Sequence, residues 1–149
     1  MRTFLLTHNP QRWRMPADEW AALVARTGAS ERVPGSWSTG GRRDMDPGDR
    51  VFLLRQGPQP RGIVASGWTT GTVERRELFS GAGVRNNVPL EWERVLDLDD
   101  PLPTELLRRE VPLVPWHALL GSGVQAAPAA CERLEELWER HLDEGRPAT

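Results

Sequence analysis

Lysine and tyrosine are missing from this chain of 149 residues, and cysteine occurs once. Without lysine there is no Schiff-base chemistry, no lysine general base and no P-loop. The single cysteine, Cys131, forms no internal disulfide and anchors no cysteine-rich zinc site. Its place among alanines at the start of a helix marks it as a small buried residue. No apolar run approaches the roughly 18 residues that a membrane span requires. Met1-Arg-Thr-Phe-Leu-Leu-Thr-His turns polar too soon for a signal peptide, so a cytoplasmic protein is expected. His8, His117 and His141 lack metal-ligand spacing, and Ser36, Ser38 and Ser66 lack a nucleophile elbow. With the common catalytic constellations missing, neither an enzymatic activity nor a cofactor or metal is expected.

Arginine and tryptophan stand out in what remains. Every cationic side chain apart from histidine is arginine, as a GC-rich coding sequence favours, and there are seven tryptophans. The formal net charge of -2 argues against a surface that grips any phosphate backbone. Its distribution is uneven. Residues 1–62 hold arginines 2, 12, 14, 26, 32, 42, 43, 50, 55 and 61 against six acidic residues, and most of the acid follows Glu91. A folded domain of this sequence therefore has scope for one basic and one acidic face. The hydrophobic fraction of 38% and charged fraction of 27% fit one soluble domain, taken as residues 1–142 with a flexible tail at 143–149.

The pattern along the chain is that of an α+β protein with short strands. Thr3-Phe-Leu-Leu-Thr reads as a strand that His8-Asn9-Pro10 ends. Pro16 to Gly28 reads as a helix, with proline in its first turn, acids after it and glycine to stop it. Strands are expected at 50–55, 62–67 and 70–76, then a loop over 78–87. Leu90-Glu-Trp-Glu-Arg-Val-Leu-Asp alternates as a half-buried strand in which Val95 turns inward only after a shift of phase. A short helix is expected near 103–109 and an amphipathic one from Pro128 to Leu142. Trp20 and Trp138 fall on apolar helix faces and Trp92 on the alternating strand, which are core positions. Trp13 sits in the polar segment Gln11-Arg-Trp-Arg, and His8 reads first as a turn residue. Asp44, Asp46 and Asp49 superficially suggest a metal cluster, but Asp46-Pro-Gly-Asp reads better as a turn in which Asp49 bonds local backbone.

The most informative stretch runs from Ser36 to Trp68. It carries a Trp-Ser-Thr-Gly turn, the Pro47-Gly48-Asp49 turn and two apolar strands, with a tryptophan near each end. Flat rings beside turn residues at a strand mouth suit a pocket for a planar ligand. Phe4-Leu-Leu-Thr-His-Asn-Pro, Trp37-Ser38, Gly48-Asp-Arg-Val-Phe-Leu-Leu-Arg-Gln-Gly, Arg61-Gly-Ile, Gly67, Trp92-Glu-Arg-Val, Ser122-Gly-Val and Leu134-Glu-Glu-Leu-Trp-Glu-Arg-His-Leu occur in an order that spans nearly the whole chain. That order resembles the EVE-like domains of the PUA-like superfamily, related to YTH and ASCH modules, and in particular the EVE domains linked to bacterial HNH-type restriction nucleases.

The resemblance implies a small mixed β-barrel of about five or six strands flanked by helices. It implies a module that binds nucleic acid and reads a modified base flipped into an aromatic pocket, with 5-methylcytosine or a related cytosine in DNA foremost. A PUA-like binder of RNA or a small nucleotide-like ligand is the alternative. Trp37 and Trp68 are the expected ring surfaces and Ser38, Asn9 and Ser66 the expected edge contacts. Trp116 is a further candidate for the wall. Arg42, Arg43, Arg55 and Arg85 are the candidates for flanking phosphates. A separate nuclease or restriction ATPase is the implied protein partner, because the chain has no nuclease signature of its own.

Overall fold

The computed structural model describes residues 1–77, 84–119 and 121–145. Among the described residues, eight strands form one sheet: β1 (Thr3–His8), β2 (Val33–Ser38), β3 (Arg50–Arg55), β4 (Gly62–Thr69), β5 (Glu74–Glu77), β6 (Val84–Val95), β7 (Leu102–Pro103) and β8 (Val124–Gln125). The hydrogen-bonded order is β2-β6-β4-β3-β1-β8, with β5 added to β6 and β7 to β4. Only β1 and β3 run parallel; the other pairings are antiparallel. Three α-helices among the described residues accompany the sheet: α1 (Ala17–Gly28), α2 (Thr104–Glu110) and α3 (Pro128–Glu144).

The sheet curls without closing, which corrects the expected barrel of five or six strands. β2 and β1 stand four places apart in the strand order, yet the Trp37 indole Nε1–H donates to the Thr7 carbonyl at 2.9 Å. A ladder between them cannot form along all of β1, because β8 already occupies its free edge at Phe4 and Leu5. Past that point the Ser122 hydroxyl bridges the seam. It accepts from the Thr7 N–H at 3.1 Å and donates to the Ser38 carbonyl at 2.6 Å. Two glycines permit this close approach. Gly40 and Gly123 have φ of +61° and +87°, and a side chain at either would lie 2.7 or 2.4 Å from a backbone oxygen across the seam.

Each face of the sheet has its own core. Phe4, Leu6, Val51, Leu53, Leu90 and Trp92 gather inside the curl, where Trp20 and Trp37 join them. α1 is tied there by Trp20 Nε1–H to the Leu96 carbonyl at 3.0 Å. Thr27 adds a second tie, its hydroxyl accepting the Val95 N–H at 2.9 Å. The other face carries Leu5, Phe52, Leu54 and Ile63 against α2 and α3, with Trp138 fully buried and edge-on to Phe52 at 6.0 Å. Cys131 is only half-buried on α3, not fully buried as expected.

The expected phase shift before Val95 is a β-bulge: Gly67 pairs Trp92 and Ser66 pairs Arg94, leaving Glu93 unpaired between them. A second irregularity lies in β4, where Leu53 pairs Ala65 and Leu54 pairs Ile63. Val64 and Ala65 consequently both join the interior core. Of the expected 70–76 strand only residues 74–76 are strand, in β5, since β4 ends at Thr69, and residues 84–87 of the expected loop belong to β6. Residues 78–83 of that loop lie outside the described residues, as do 146–149 of the expected tail; α3 itself continues to Glu144. The Asp46–Asp49 segment is the expected turn, with the Asp49 carboxylate accepting the Asp46 N–H at 2.8 Å. Among the described residues no helix is long and apolar enough to cross a membrane.

Trp138 is the largest side chain joining α3 to the sheet. Trp138→Ala is expected to lower the unfolding free energy by about 3–5 kcal/mol, read from urea denaturation. A loss below about 1 kcal/mol would show that α3 does not depend on this contact.

Candidate functional site

The unclosed seam between β1 and β2 is the mouth of a cleft of about 1150 Å³. Thr7, His8 and Asn9 form one lip, Ser36, Trp37 and Ser38 the other, and Gly121 and Ser122 lie between them. Trp37 lies at the wall, 8% exposed, with its indole N–H fixed on Thr7. Trp92 meets it inside at 6.0 Å, at an interplanar angle of 77°.

A local turn brings a third ring to the mouth. The Asn9 carbonyl accepts the N–H groups of Arg12 and Trp13 at 3.0 and 3.2 Å, and the Asn9 side chain accepts that of Gln11 at 3.0 Å. This turn sets Trp13, 53% exposed, edge-to-face with Trp37 at 5.7 Å. Gly57, at φ +86°, lets the neighbouring loop pass against Asn9, since a Cβ there would lie 2.6 Å from Asn9 Oδ1.

His8 is enclosed by these rings. Its imidazole stacks on Trp20 at 5.9 Å and meets Trp13 and Trp37 edge-on at 6.0 and 5.4 Å. It is 4% exposed, and Nε2 has no hydrogen-bond partner among the described residues. Burial, reinforced by the positive charges of Arg55 and Arg14, lowers its pKa from 6.5 to about 4. The cleft thus holds a neutral imidazole at neutral pH. Arg12 and Arg85 are exposed at its rim.

The residues expected at the site divide between the two faces of the sheet. Trp37, Ser38, Asn9 and Arg85 line the cleft. Trp68 and Ser66 do not, because the double step at Val64 and Ala65 turns them toward α3. Trp68 is held between the guanidinium groups of Arg32 and Arg50, 4.4 and 4.3 Å from its ring centre. The Ser66 hydroxyl donates to Glu93 at 3.0 Å. Glu93 is ion-paired with the buried Arg50 at 3.0 Å, and Arg50 also binds Glu135 of α3 at 2.8 Å. These groups join α3 to the sheet.

Trp116 is also placed away from the cleft. It is buried in the α2–α3 core, with Nε1–H on the Val111 carbonyl at 2.9 Å. Arg55 is buried, donating to the Leu98 carbonyl at 2.6 Å, and Arg42 binds the Gly123 carbonyl and Asp44. Neither has a guanidinium to spare for a phosphate. Arg43 is exposed but does not line the cleft. His8, Trp13 and Ser122 were not among the residues expected to form the site. The polar setting of Trp13 in Gln11-Arg-Trp-Arg was the available signal for it.

No protein-family model and no curated protein matches the chain. Solved structures do. A Pseudomonas syringae protein overlaps it with a TM-score of 0.61 at 12% identity, over 91% of this chain and 98% of its own. A hypothetical protein from Leishmania major overlaps with a TM-score of 0.57 at 16% identity, over 98% of each chain. A YTH domain solved in complex with RNA gives a TM-score of 0.49 at 13% identity, over 96% of this chain and 80% of its own. The likeness to the first two is one of fold.

The His8 environment has a pH consequence. Its folded-state pKa lies below its unfolded value, so the unfolded chain takes up the proton first. This contribution to stability is full above about pH 6.5 and is lost as pH falls toward about 4, at up to about 1.4 kcal/mol per pH unit. Urea unfolding at successive pH values is expected to show a steeper decline between pH 6.5 and 5 for the wild type than for His8→Gln. Equal slopes would contradict the assignment.

Proposed function

We propose that this chain is a PUA-like nucleic-acid-binding module that reads a modified base in the cleft between β1 and β2. The carrying observation is the cleft itself. An aromatic wall of Trp37 and exposed Trp13 meets the polar groups of Asn9 and Ser38, and its volume of about 1150 Å³ accommodates a nucleotide. A methyl group on a base changes little hydrogen bonding, and burying it contributes only about 0.8 kcal/mol. Selectivity therefore draws on stacking and edge contacts as well. Stacking returns about 1–3 kcal/mol per base, against a few kcal/mol to extrude one from a duplex. The rings present here are suited to that exchange.

The substrate we put first is 5-methylcytosine or a related modified cytosine in DNA, flipped into the cleft, which is what the EVE-like order of motifs implies. We read the chain as a receptor and not a catalyst. Among the described residues His8 keeps company with indole rings and not with a carboxylate or nucleophile, which is the arrangement of a wall residue. On this reading a separate nuclease or restriction ATPase acts on the marked strand, and the module supplies a role in restriction.

Titration with short duplexes carrying 5-methylcytosine, 5-hydroxymethylcytosine or plain cytosine, and with the matching RNA, tests the proposal. Tighter binding of a modified duplex is expected, and equal affinity for all cytosine forms would remove it. A preference for RNA would support the alternative of an RNA reader. Trp37→Ala is expected to weaken binding of the preferred strand by about ten- to a hundredfold, from the loss of one stacking surface. Trp68→Ala, on the opposite face of the sheet, is expected to leave it unchanged.

A further inference from the structure

We infer that the cleft selects a base carrying an exocyclic amine beside an unprotonated ring nitrogen, the Trp92 indole N–H donating to the ring nitrogen and the Glu19 carboxylate accepting from the amine. The inference rests on the base reading above and names the feature by which a modified cytosine is told from thymine. Thymine carries the same 5-methyl group and is abundant in DNA. A pocket of rings that senses only the methyl would stack both. The two bases differ along one edge: cytosine has a donor at N4 and an acceptor at N3, thymine an acceptor at O4 and a donor at N3. Adenine has the cytosine order at N6 and N1, so this edge sets amine against carbonyl and not ring size.

Two groups of fixed polarity line the cleft uncommitted. Trp92 is 3% exposed, and its Nε1–H, which can only donate, has no hydrogen-bond partner among the described residues. Gly35 of β2 leaves that N–H uncovered, since a Cβ there would lie 2.8 Å from Trp92 Nε1, and both residues line the cleft. From the other side α1 presents Glu19, Ala22, Leu23 and Arg26, the spacing of one helix face. Leu23 packs against the interior core that holds Trp92, and Glu19 lies one turn before it. Arg26 is ion-paired with Glu31, whereas the Glu19 carboxylate has neither a hydrogen bond nor an ion pair among the described residues. Glu19 is also the one acid lining the cleft among those residues. A carboxylate repels a phosphate, so its place in a nucleic-acid cleft fits an amine. His8 Nε2 is likewise buried and unpartnered, but a neutral imidazole donates or accepts according to its tautomer and so does not select. Trp92 and Glu19 together meet cytosine with two hydrogen bonds, and thymine with a donor against a donor and an oxygen against an oxygen.

The test titrates three single-stranded DNA dodecamers that differ at one position, 5-methylcytosine, cytosine or thymine, so that backbone charge cancels in the ratio of affinities. The wild type is expected to prefer 5-methylcytosine over thymine by about tenfold or more. Glu19→Gln puts an amide that both accepts and donates on an exposed side chain with no bond to lose, and is expected to bring that ratio within about threefold. Trp92→Phe keeps a ring, removes the N–H and is expected to lower the ratio about as much. A melting curve shows whether Trp92→Phe folds, and if it does not, Glu19→Gln decides alone. Asp18→Asn removes the same charge from an exposed neighbour that does not line the cleft, and is expected to leave the ratio unchanged. Equal wild-type affinity for 5-methylcytosine and thymine overturns the inference. So does an unchanged ratio in Glu19→Gln or in folded Trp92→Phe, an equal fall in Asp18→Asn, or a failure of all three strands to bind. If 5-methylcytosine and thymine bind alike and more tightly than cytosine, the edge selection falls and the methyl reading stands. If cytosine and 5-methylcytosine bind alike above thymine, and Glu19→Gln removes the difference, the edge selection stands and the modified-base reading falls.

Discussion

The edge of β1 has more claimants than it can serve, and much of the molecule follows from that. One edge is fully used by β3 over six residues, and the other is taken by β8 at Phe4 and Leu5 only. Beyond Leu5 the backbone groups of Thr7 still need partners, because a buried amide or carbonyl left unmade costs about 1–3 kcal/mol. A closing strand would supply them as a ladder and leave no opening. Here they are met by the Ser122 hydroxyl and the Trp37 indole. The bond that satisfies Thr7 is thus the bond that orients Trp37 at the cleft. Closure by side chains leaves a seam wide enough for a ligand.

The same arrangement fixes the electrostatic character of the seam. His8 pairs in register with Arg55, and both are buried. A charged imidazole among indoles would gain from cation–π contact, about 0.5–2 kcal/mol. Desolvation and the neighbouring guanidinium groups outweigh that gain, since the pKa falls to about 4. The interior of the cleft is therefore neutral and its positive charge stays at the rim, on Arg12 and Arg85. The base-reading proposal, with a base in the interior and its phosphates at the edge, is compatible with that division.

Much of this was legible in the chain. The three helices, the central strands and the burial of Trp20, Trp92 and Trp138 follow from periodicity, and the polar turn of Trp37-Ser38 set that ring apart from the core tryptophans. What was not legible is the phase of β4. Alternation from Ile63 predicts one set of faces for Ser66 and Trp68, and the extra residue at Val64 and Ala65 reverses it, as any one-residue slip does. No residue type at that point announces a bulge. The barrel expectation failed for a related reason: the pairing of β8 with β1 is two residues long and leaves no periodicity to read.

Arginine shows how far composition misleads about binding. The first 62 residues carry ten arginines against six acids, which suggests a basic face spread across that half of the chain. The fold spends several of them internally. Arg50 ties α3 to the sheet through Glu93 and Glu135, Arg55 holds the Leu98 carbonyl, Arg42 holds Gly123, and Arg2 binds Asp44, Asp46 and Asp49. A planar fork with five donors serves such buried carbonyl and carboxylate sites better than an ammonium group does. Arginine in this chain is therefore as much a structural cross-link as a surface charge. Among the arginines beside the cleft, Arg12 and Arg85 keep exposed side chains. The clearest of these comes from β6, outside the basic half of the sequence, because a strand long enough to overrun its neighbours carries Arg85 to the rim.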